Sequence, residues 1–366
     1  MKPTVFLTGA TGFLGMEVLA RLLEAGDRKV VALVRAADDA AAEDRLYGVL
    51  NTLWRDPTPY QANVRAVAGD VTNPGLGLDQ AARNALAEEV GAVLHCAASI
   101  SFDLPVEDAR AINVEGTREV IGFARQSKAL GRLERFVHVS TAYVAGKYEG
   151  TFCERQLDAG QEFRNTYEQT KWEAEHVVRE ATDLSPAIAR PSIVMGESDT
   201  GWTPAFNVLY WPLRAFSRGL FNEVPSLPSA HVDIVPVDYV ADALVALLDS
   251  DDEGVFNLVS GREAPFANEL VELACDRFDR PRPTIVESVG ASDEHGAVYL
   301  PYFDMEVVFD DSRARALLEP AGIRPPRLAD YFGRLIDYAE AVRWGKRSMK
   351  RDEAREWLAE SEAAAA

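Results

Sequence analysis

Apolar residues follow two rhythms along the first half of the chain. Short runs that are apolar at nearly every position, Thr4 to Thr8, Lys29 to Arg35 and Ala92 to Cys96, read as strands buried on both faces, and Val64 to Ala68, Arg135 to Val139 and Ala187 to Arg190 are of the same kind. Between them lie stretches with apolar positions three and four apart: up to Ala25 behind the first strand, Pro105 to Lys128, and about Thr166 to Ala181. These read as amphipathic helices. Six strands alternating with helices predict an α/β protein with a doubly wound parallel sheet, covered on both faces, of the Rossmann type.

Beyond Ser192 the alternation loosens. Gly201 to Phe221 mixes Trp202, Phe206, Leu209, Tyr210, Trp211, Leu213 and Phe216, and Pro225, Pro228 and Pro236 mark loops after it. Short strands are expected at Val232 to Val235 and Val255 to Leu258, and helices at Val237 to Leu248, Phe266 to Phe278, Asp310 to Leu318 and Leu328 to Trp344. The organisation expected is a Rossmann domain over residues 1–195, a smaller, mostly helical lobe over 196–342 interleaved with it, and a basic then acidic helical tail over 343–366. The aromatic stripe of the lobe fits a core or the wall of a pocket, and both readings hold for a small lobe folded over a site.

Chemistry enters at the strand ends. The first strand runs into Gly9-Ala10-Thr11-Gly12-Phe13-Leu14-Gly15 and then a helix, so glycines would let backbone approach a pyrophosphate at the helix N-terminus and let helix pack close on strand. Thr8, Gly9, Thr11, Gly12, Phe13, Leu14 and Gly15 are the candidate nucleotide contacts. Arg35 ends the second strand where an NAD site usually places a carboxylate, which favours the 2′-phosphate of NADPH, with Arg45 as a second phosphate ligand; Asp38 and Asp39 close behind weigh against it. Asp70 and Val71 would face adenine, and Cys96, Ala97 and Ala98 would let backbone lie close to a flat ring. Cys96 and His95 read as packing residues rather than nucleophile and base. Thr141, at the end of the fifth strand, is placed to donate to a carbonyl oxygen. Tyr167 and Lys171 lie four apart and share a helix face, where the cation would favour the phenolate.

Composition narrows the partners. With 366 residues, 47% apolar, there is material for an extensive core, and a net charge of −20 disfavours nucleic acid. Cys96, Cys153 and Cys275 are scattered, without spacing for zinc, so no metal is expected and a reducing, cytoplasmic setting is. The apolar run at the N-terminus is too short for a signal peptide, and no transmembrane segment is legible. Arg343 to Arg355 carries six basic residues (Arg343, Lys346, Arg347, Lys350, Arg351, Arg355) against two acidic ones. That stretch fits a solvated helix balancing its neighbours, or a dock for an acidic carrier protein, a coenzyme A phosphate or an anionic membrane surface.

With Gly9, Gly12, Gly15, Thr141, Tyr167 and Lys171 in place, the chain resembles the extended short-chain dehydrogenase/reductases over residues 3–340. It is more narrowly similar to the fatty acyl-CoA reductase (male-sterility) branch and to the thioester-reductase domains of carboxylic acid reductases and peptide synthetases. That likeness is carried by Leu33-Val34-Arg35, Gly69-Asp70-Val71, Leu76-Gly77-Leu78, His95-Cys96-Ala97-Ala98, Phe102-Asp103, Asn113-Val114-Glu115-Gly116-Thr117, Val139-Ser140-Thr141-Ala142, Arg190-Pro191-Ser192-Ile193-Val194, Gly201-Trp202 and Asp233 to Val240. The resemblance implies Thr141, Tyr167 and Lys171 as catalytic, Asn113 as the asparagine supporting the lysine, and Pro191, Ser192 and Ile193 at the cofactor. Ser140, Tyr143, Trp202, Phe206 and Trp211 are the expected substrate contacts. The activity implied is NADPH-dependent reduction of an acyl thioester to aldehyde and then, with a second hydride, alcohol. A reductase of an aldehyde, ketone, hydroxysteroid or sugar nucleotide, and a non-catalytic NADPH sensor, are the alternatives. No adenylation or carrier domain is legible, so the acyl group is expected as a coenzyme A ester or on an acyl carrier protein.

Overall fold

The computed structural model describes residues 1–206, 209–220, 223–225, 230–286 and 300–365. Seven strands form its main sheet: Thr4–Thr8 (β1), Val30–Val34 (β2), Val64–Ala68 (β3), Val90–His95 (β4), Arg135–Val139 (β5), Ala187–Pro191 (β6) and Gly254–Leu258 (β7). Their order is β7-β6-β5-β4-β1-β2-β3, every pair parallel. All residues of β2, β4, β5 and β6 are buried, as two-sided cover demands. The chain reverses direction across the sheet between β3 and β4, so the carboxyl ends of β1 and β4 flank the crevice where open α/β sheets bind ligands.

The seventh strand was expected as part of the lobe. It joins the main sheet because the helix before it, Val237–Leu248, is apolar enough to pack on the helix Phe13–Ala25 (α1) and so carries the chain back over the sheet to β6. A second departure lies in Pro105 to Lys128, read as one helical stretch. Val106–Arg110 and Gly116–Ala129 are α-helical, but Ala111–Glu115 widens into a π-helical turn with Asn113 at its centre. Such turns commonly mark functional sites.

Short parallel ladders build the lobe: Ile193–Met195 with Ile234–Pro236, Glu223–Pro225 with Thr284–Val286, and Gly150–Phe152 with Val307–Phe309. Its core gathers Tyr143, Leu209, Tyr210, Phe216, Tyr302, Phe309, Tyr331 and Phe332. Asp233 fixes one ladder to the sheet, its carboxylate accepting from the Ser260 and Gly261 amides at 2.9 and 2.8 Å.

The basic segment is only partly solvated. After the helix Leu328–Ala341, left-handed backbone at Arg343, Trp344 and Gly345 (φ 53, 55 and 83°) turns the chain back toward the sheet domain. Arg351, at the start of the last helix, Arg351–Ala365, is buried and meets Glu17 at 3.1 Å, Glu24 at 2.7 Å and Glu197 at 2.7 Å. Burial and the nearby Glu197 push the Glu17 carboxyl up to about 7, with Arg351 and Arg21 opposing. One cation thus clamps the tail to α1 and to the loop after Ile193–Met195. Replacing Arg351 by Met strands these carboxylates, and unfolding stability should fall by about 3–5 kcal/mol, read from urea midpoints at neutral pH; an unchanged midpoint would show the clamp to be idle.

Candidate functional site

The glycine turn between β1 and α1 is held by contact, not by side-chain bonding. A Cβ on Gly15 would lie 2.1 Å from the Gly9 carbonyl oxygen, and one on Gly9 (φ 79°) would lie 2.8 Å from the Ala97 nitrogen. Gly12 caps α1 with no side chain at its amides, and Thr11 and Gly12 are exposed. Free amides at a helix N-terminus favour an anion. The cradle therefore fits a dinucleotide pyrophosphate, with the small Ala97 and Ala98 beside it, both half-buried.

A directional chain of hydrogen bonds crosses beneath this cradle. The Ala97 amide donates to Thr8 Oγ1 at 3.2 Å, and Thr8 Oγ1 lies 2.7 Å from His95 Nδ1; His95 Nε2 lies 3.0 Å from Thr117 Oγ1, which donates to the Asn113 carbonyl at 2.7 Å. Because Thr117 spends its proton on that carbonyl, His95 donates from Nε2 and accepts at Nδ1, a tautomer assigned from the network. Burial, with Lys171 nearby, pushes the imidazole down to about 3, so it is neutral. Cys96 is pushed up to about 12 by burial, which makes it a poor nucleophile.

Asn113 spends its side chain on structure. Its Oδ1 accepts from the Ser99 amide at 2.8 Å, and its Nδ2 donates to the Ser99 carbonyl at 3.1 Å and to Thr170 Oγ1 at 2.9 Å. Thr170 lies on the helix Thr166–Glu180, so the π turn grips the helix that carries Tyr167 and Lys171. Lys171 Nζ is buried and donates to the Val139 carbonyl, at the end of β5, at 2.8 Å. Burial pushes its ammonium down to about 8 against the pull of Glu175.

The Tyr167 phenol pairs with the Thr141 side chain. Thr141 itself begins the turn Ala142–Ala145, accepts from the Tyr143 amide at 3.3 Å and donates to the Pro191 carbonyl at 3.4 Å. That turn ends at Gly146 (φ 52°), where a Cβ would meet the Glu162 carbonyl oxygen at 2.2 Å. The acidity expected for Tyr167 is reversed. Burial pushes the phenol up to about 12, Glu168 raises it further, and only Thr141 opposes, with Lys171 not among the groups acting on it. At neutral pH the phenol is protonated, a state able to donate a hydrogen bond.

Ser140 lies beside Thr141 but faces away from it, donating to Glu175 Oε2 at 2.9 Å. Glu175 is buried, in a two-point pair with Arg190 at 2.9 and 2.6 Å. The expected substrate contacts also divide. Tyr143 stays with the site, its ring edge-on to Tyr302 at 4.9 Å and its hydroxyl donating to the Asp233 carbonyl at 3.4 Å. Trp202 is fully buried and donates to the Met349 carbonyl at 3.0 Å, and Phe206 packs among Tyr210, Tyr338 and Gly345, so both anchor the C-terminal segment. Trp211 is half-buried on the helix Tyr210–Ser217. Sequence reasoning passed over Phe102, 5.7 Å from the Tyr167 ring, and Tyr302, stacked on Phe102 at 5.4 Å. Phe102 stood in a noted motif; Tyr302 comes after a stretch without periodicity.

At the other end of the crevice Arg35 and Arg45 are exposed together, the Arg45 guanidinium donating to the Arg35 carbonyl. Asp38 caps the helix Asp39–Leu53 through the Ala41 amide at 2.8 Å, and Asp39 accepts from the Ala68 amide at 2.8 Å. The two acids are thus engaged locally. Asp70 accepts from the Thr72 amide and hydroxyl at 2.9 and 2.8 Å, Val71 packs against Gly116, and Pro191, Ser192 and Ile193 are buried at the end of β6.

Sheet order, glycine cradle and the Thr141, Tyr167, Lys171 cluster define an extended short-chain dehydrogenase/reductase with a nicotinamide dinucleotide site. The chain belongs to the male sterility protein family, whose model matches residues 7–244. It is 33% identical over 272 residues to the L-2-aminoadipate reductase large subunit of Penicillium chrysogenum, covering 67% of this chain and 18% of that protein. It is 32% identical over 285 residues to fatty acyl-CoA reductase 1 of Homo sapiens, covering 66% of this chain and 53% of that one. The chain thus spans about half or less of the length of these curated relatives. Among solved structures, the terminal R domain from the myxalamid PKS-NRPS biosynthetic pathway superposes with a TM-score of 0.81 at 26% identity, over 93% of this chain and 91% of that one. No helix among the described residues is long and apolar enough to cross a membrane.

The depressed Lys171 ammonium gives a test. The folded chain binds fewer protons than the unfolded chain between pH 8 and 10.5, so the stability of the wild type relative to Lys171→Met should rise with pH across that window. Denaturant unfolding at stepped pH measures it; a flat difference would place the ammonium in contact with solvent.

Proposed function

We propose that the protein is an NADPH-dependent reductase of an acyl thioester, held by coenzyme A or by a carrier protein, and that it releases aldehyde and free thiol. The observation that carries this reading is the pairing of the protonated Tyr167 phenol with Thr141 beside the buried Lys171, at the carboxyl end of β5, next to the strands that flank the glycine cradle. The named activities of the relatives, reductases of acyl-CoA and aminoadipate and the R domain of a peptide-synthetase pathway, supply the substrate class.

Residues of this chain divide the work. The α1 amides and Gly9, Gly12 and Gly15 hold the pyrophosphate, and Arg35 with Arg45 takes the 2′-phosphate, Asp38 and Asp39 being engaged elsewhere. Lys171, anchored on Val139, orients the nicotinamide ribose. When bound, the reduced nicotinamide supplies a hydride. Tyr167 donates to the thioester carbonyl oxygen, where negative charge develops, joined by Thr141 once its hydroxyl turns from the Pro191 carbonyl, and Tyr167 passes the oxygen a proton to leave a hemithioacetal. Its C–S bond then breaks, the carbonyl re-forms as an aldehyde, and the sulfur leaves as a thiol with the hydroxyl proton. Tyr143 and Phe102 wall the site with apolar surface for the acyl arm. Three dispersed free cysteines suit a reducing cytoplasm.

Two measurements test the reading. NADPH oxidation with a panel of acyl-CoAs should release thiol in step with aldehyde and fall about 10²–10⁴-fold in Tyr167→Phe, with NADPH affinity kept; carbonyl reduction without thiol release would instead assign a ketone or aldehyde substrate. Arg35→Ala should cut the preference for NADPH over NADH about tenfold or more, read from kcat/KM for each cofactor; an unaltered preference removes Arg35 from the phosphate site.

A further inference from the structure

Tyr167 sits in the first turn of its helix, and that turn is capped in an unusual way. Asn165, the N-cap, accepts from the Glu168 amide at 2.9 Å through Oδ1, while its Nδ2 donates to the Tyr302 hydroxyl at 2.9 Å. The Tyr302 hydroxyl donates in turn to Glu168 Oε1 at 2.9 Å. Glu168 Oε2 accepts from the Arg164 amide at 2.8 Å, and the Arg164 guanidinium stands 3.6 Å from Oε1. Glu168 is fully buried although it neighbours the proton donor in sequence. Tyr302 also stacks on Phe102, whose ring lies against Tyr167.

We propose that Tyr302 is a positioning residue for Tyr167: arriving from the C-terminal lobe, it completes the cap of the Tyr167 helix through Asn165 and Glu168 and braces Phe102 against the reacting phenol. The lobe that encloses the substrate thereby aligns the proton donor. The alignment is geometric and electrostatic at once. The groups facing Tyr167 are Thr141, Phe102 and Glu168, with Lys171 one turn along its own helix; those facing Glu168 are Arg164, Asn165 and Tyr302, with Tyr143 beside them. Burial raises the Glu168 carboxyl, with the bonds from Arg164 and Tyr302 opposing that rise; burial first, and Glu168 after it, raise the Tyr167 phenol. Without that hydroxyl a buried carboxylate loses a donor, and the turn bearing Tyr167 loses its tie to the lobe.

The inference rests on the reductase reading only for its kinetic arm. Tyr302→Phe keeps the ring and its stacking and removes the hydroxyl alone. It should lower kcat about tenfold with KM for NADPH unchanged, a split that general loss of structure does not produce. Independently of turnover, the Tyr167 phenol can be titrated by NMR of ¹³C-labelled tyrosine, its signal assigned by loss in Tyr167→Phe. Glu168→Gln removes the negative neighbour and should move that titration to lower pH. An unmoved phenol in Glu168→Gln, or a Tyr302→Phe protein with wild-type kcat, overturns the proposal. A missing thioester activity alongside the expected titration shift would overturn the functional reading and leave the cap standing.

Discussion

The hydrogen-bond chain through His95 is the constraint that the other parts of the site depend on. It starts at the Ala97 amide, where backbone comes close to Gly9, passes Thr8 on β1 and His95 on β4, and ends through Thr117 at the Asn113 carbonyl in the π turn. Asn113 then grips Thr170 on the Tyr167 helix. Glycine cradle, strand ends and the Tyr167 helix are therefore tied by polar groups that burial forbids to wander, since an unpaired donor or acceptor costs about 1–3 kcal/mol there. The direction of the chain works only with a neutral imidazole, and burial keeps His95 neutral. His95 therefore serves geometry.

Burial sets the chemistry of the other members too. Tyr167, Lys171 and Cys96 all shift toward their uncharged forms, the phenol and thiol upward and the ammonium downward, through desolvation that is complete at Lys171 and partial at the half-buried Tyr167 and Cys96. The charge that does survive in the interior is paired. Glu175 is held by Arg190 and by Ser140, the neighbour of Thr141, and the same carboxylate supports the cation of Lys171. Arg351 plays the corresponding part at the far side of α1 among Glu17, Glu24 and Glu197. Arg190 and Arg351 are thus two of the buried arginines of a strongly acidic chain, and losing either would leave carboxylates without a partner.

The sequence by itself determined six of the seven strands of the main sheet, the glycine turn and the shared helix face of Tyr167 and Lys171. Strands buried on both faces announce themselves by unbroken apolar runs, and β2, buried at every position, falls inside the run expected. The glycines at 9, 12 and 15 and the four-residue step from Tyr167 to Lys171 are local patterns, fixed by backbone sterics and helical pitch. Only the tertiary structure decided what depends on residues distant in sequence. It sent β7 into the main sheet, packed Trp202 and Phe206 on the C-terminal segment, pointed Ser140 at Glu175, and brought Tyr302 to the cap of the Tyr167 helix. It also reversed the expected acidity of the phenol, because desolvation belongs to the enclosure around a group and not to its neighbours in the chain. Periodicity records which face of an element is apolar; which surface that face will meet is set by packing among elements far apart in sequence.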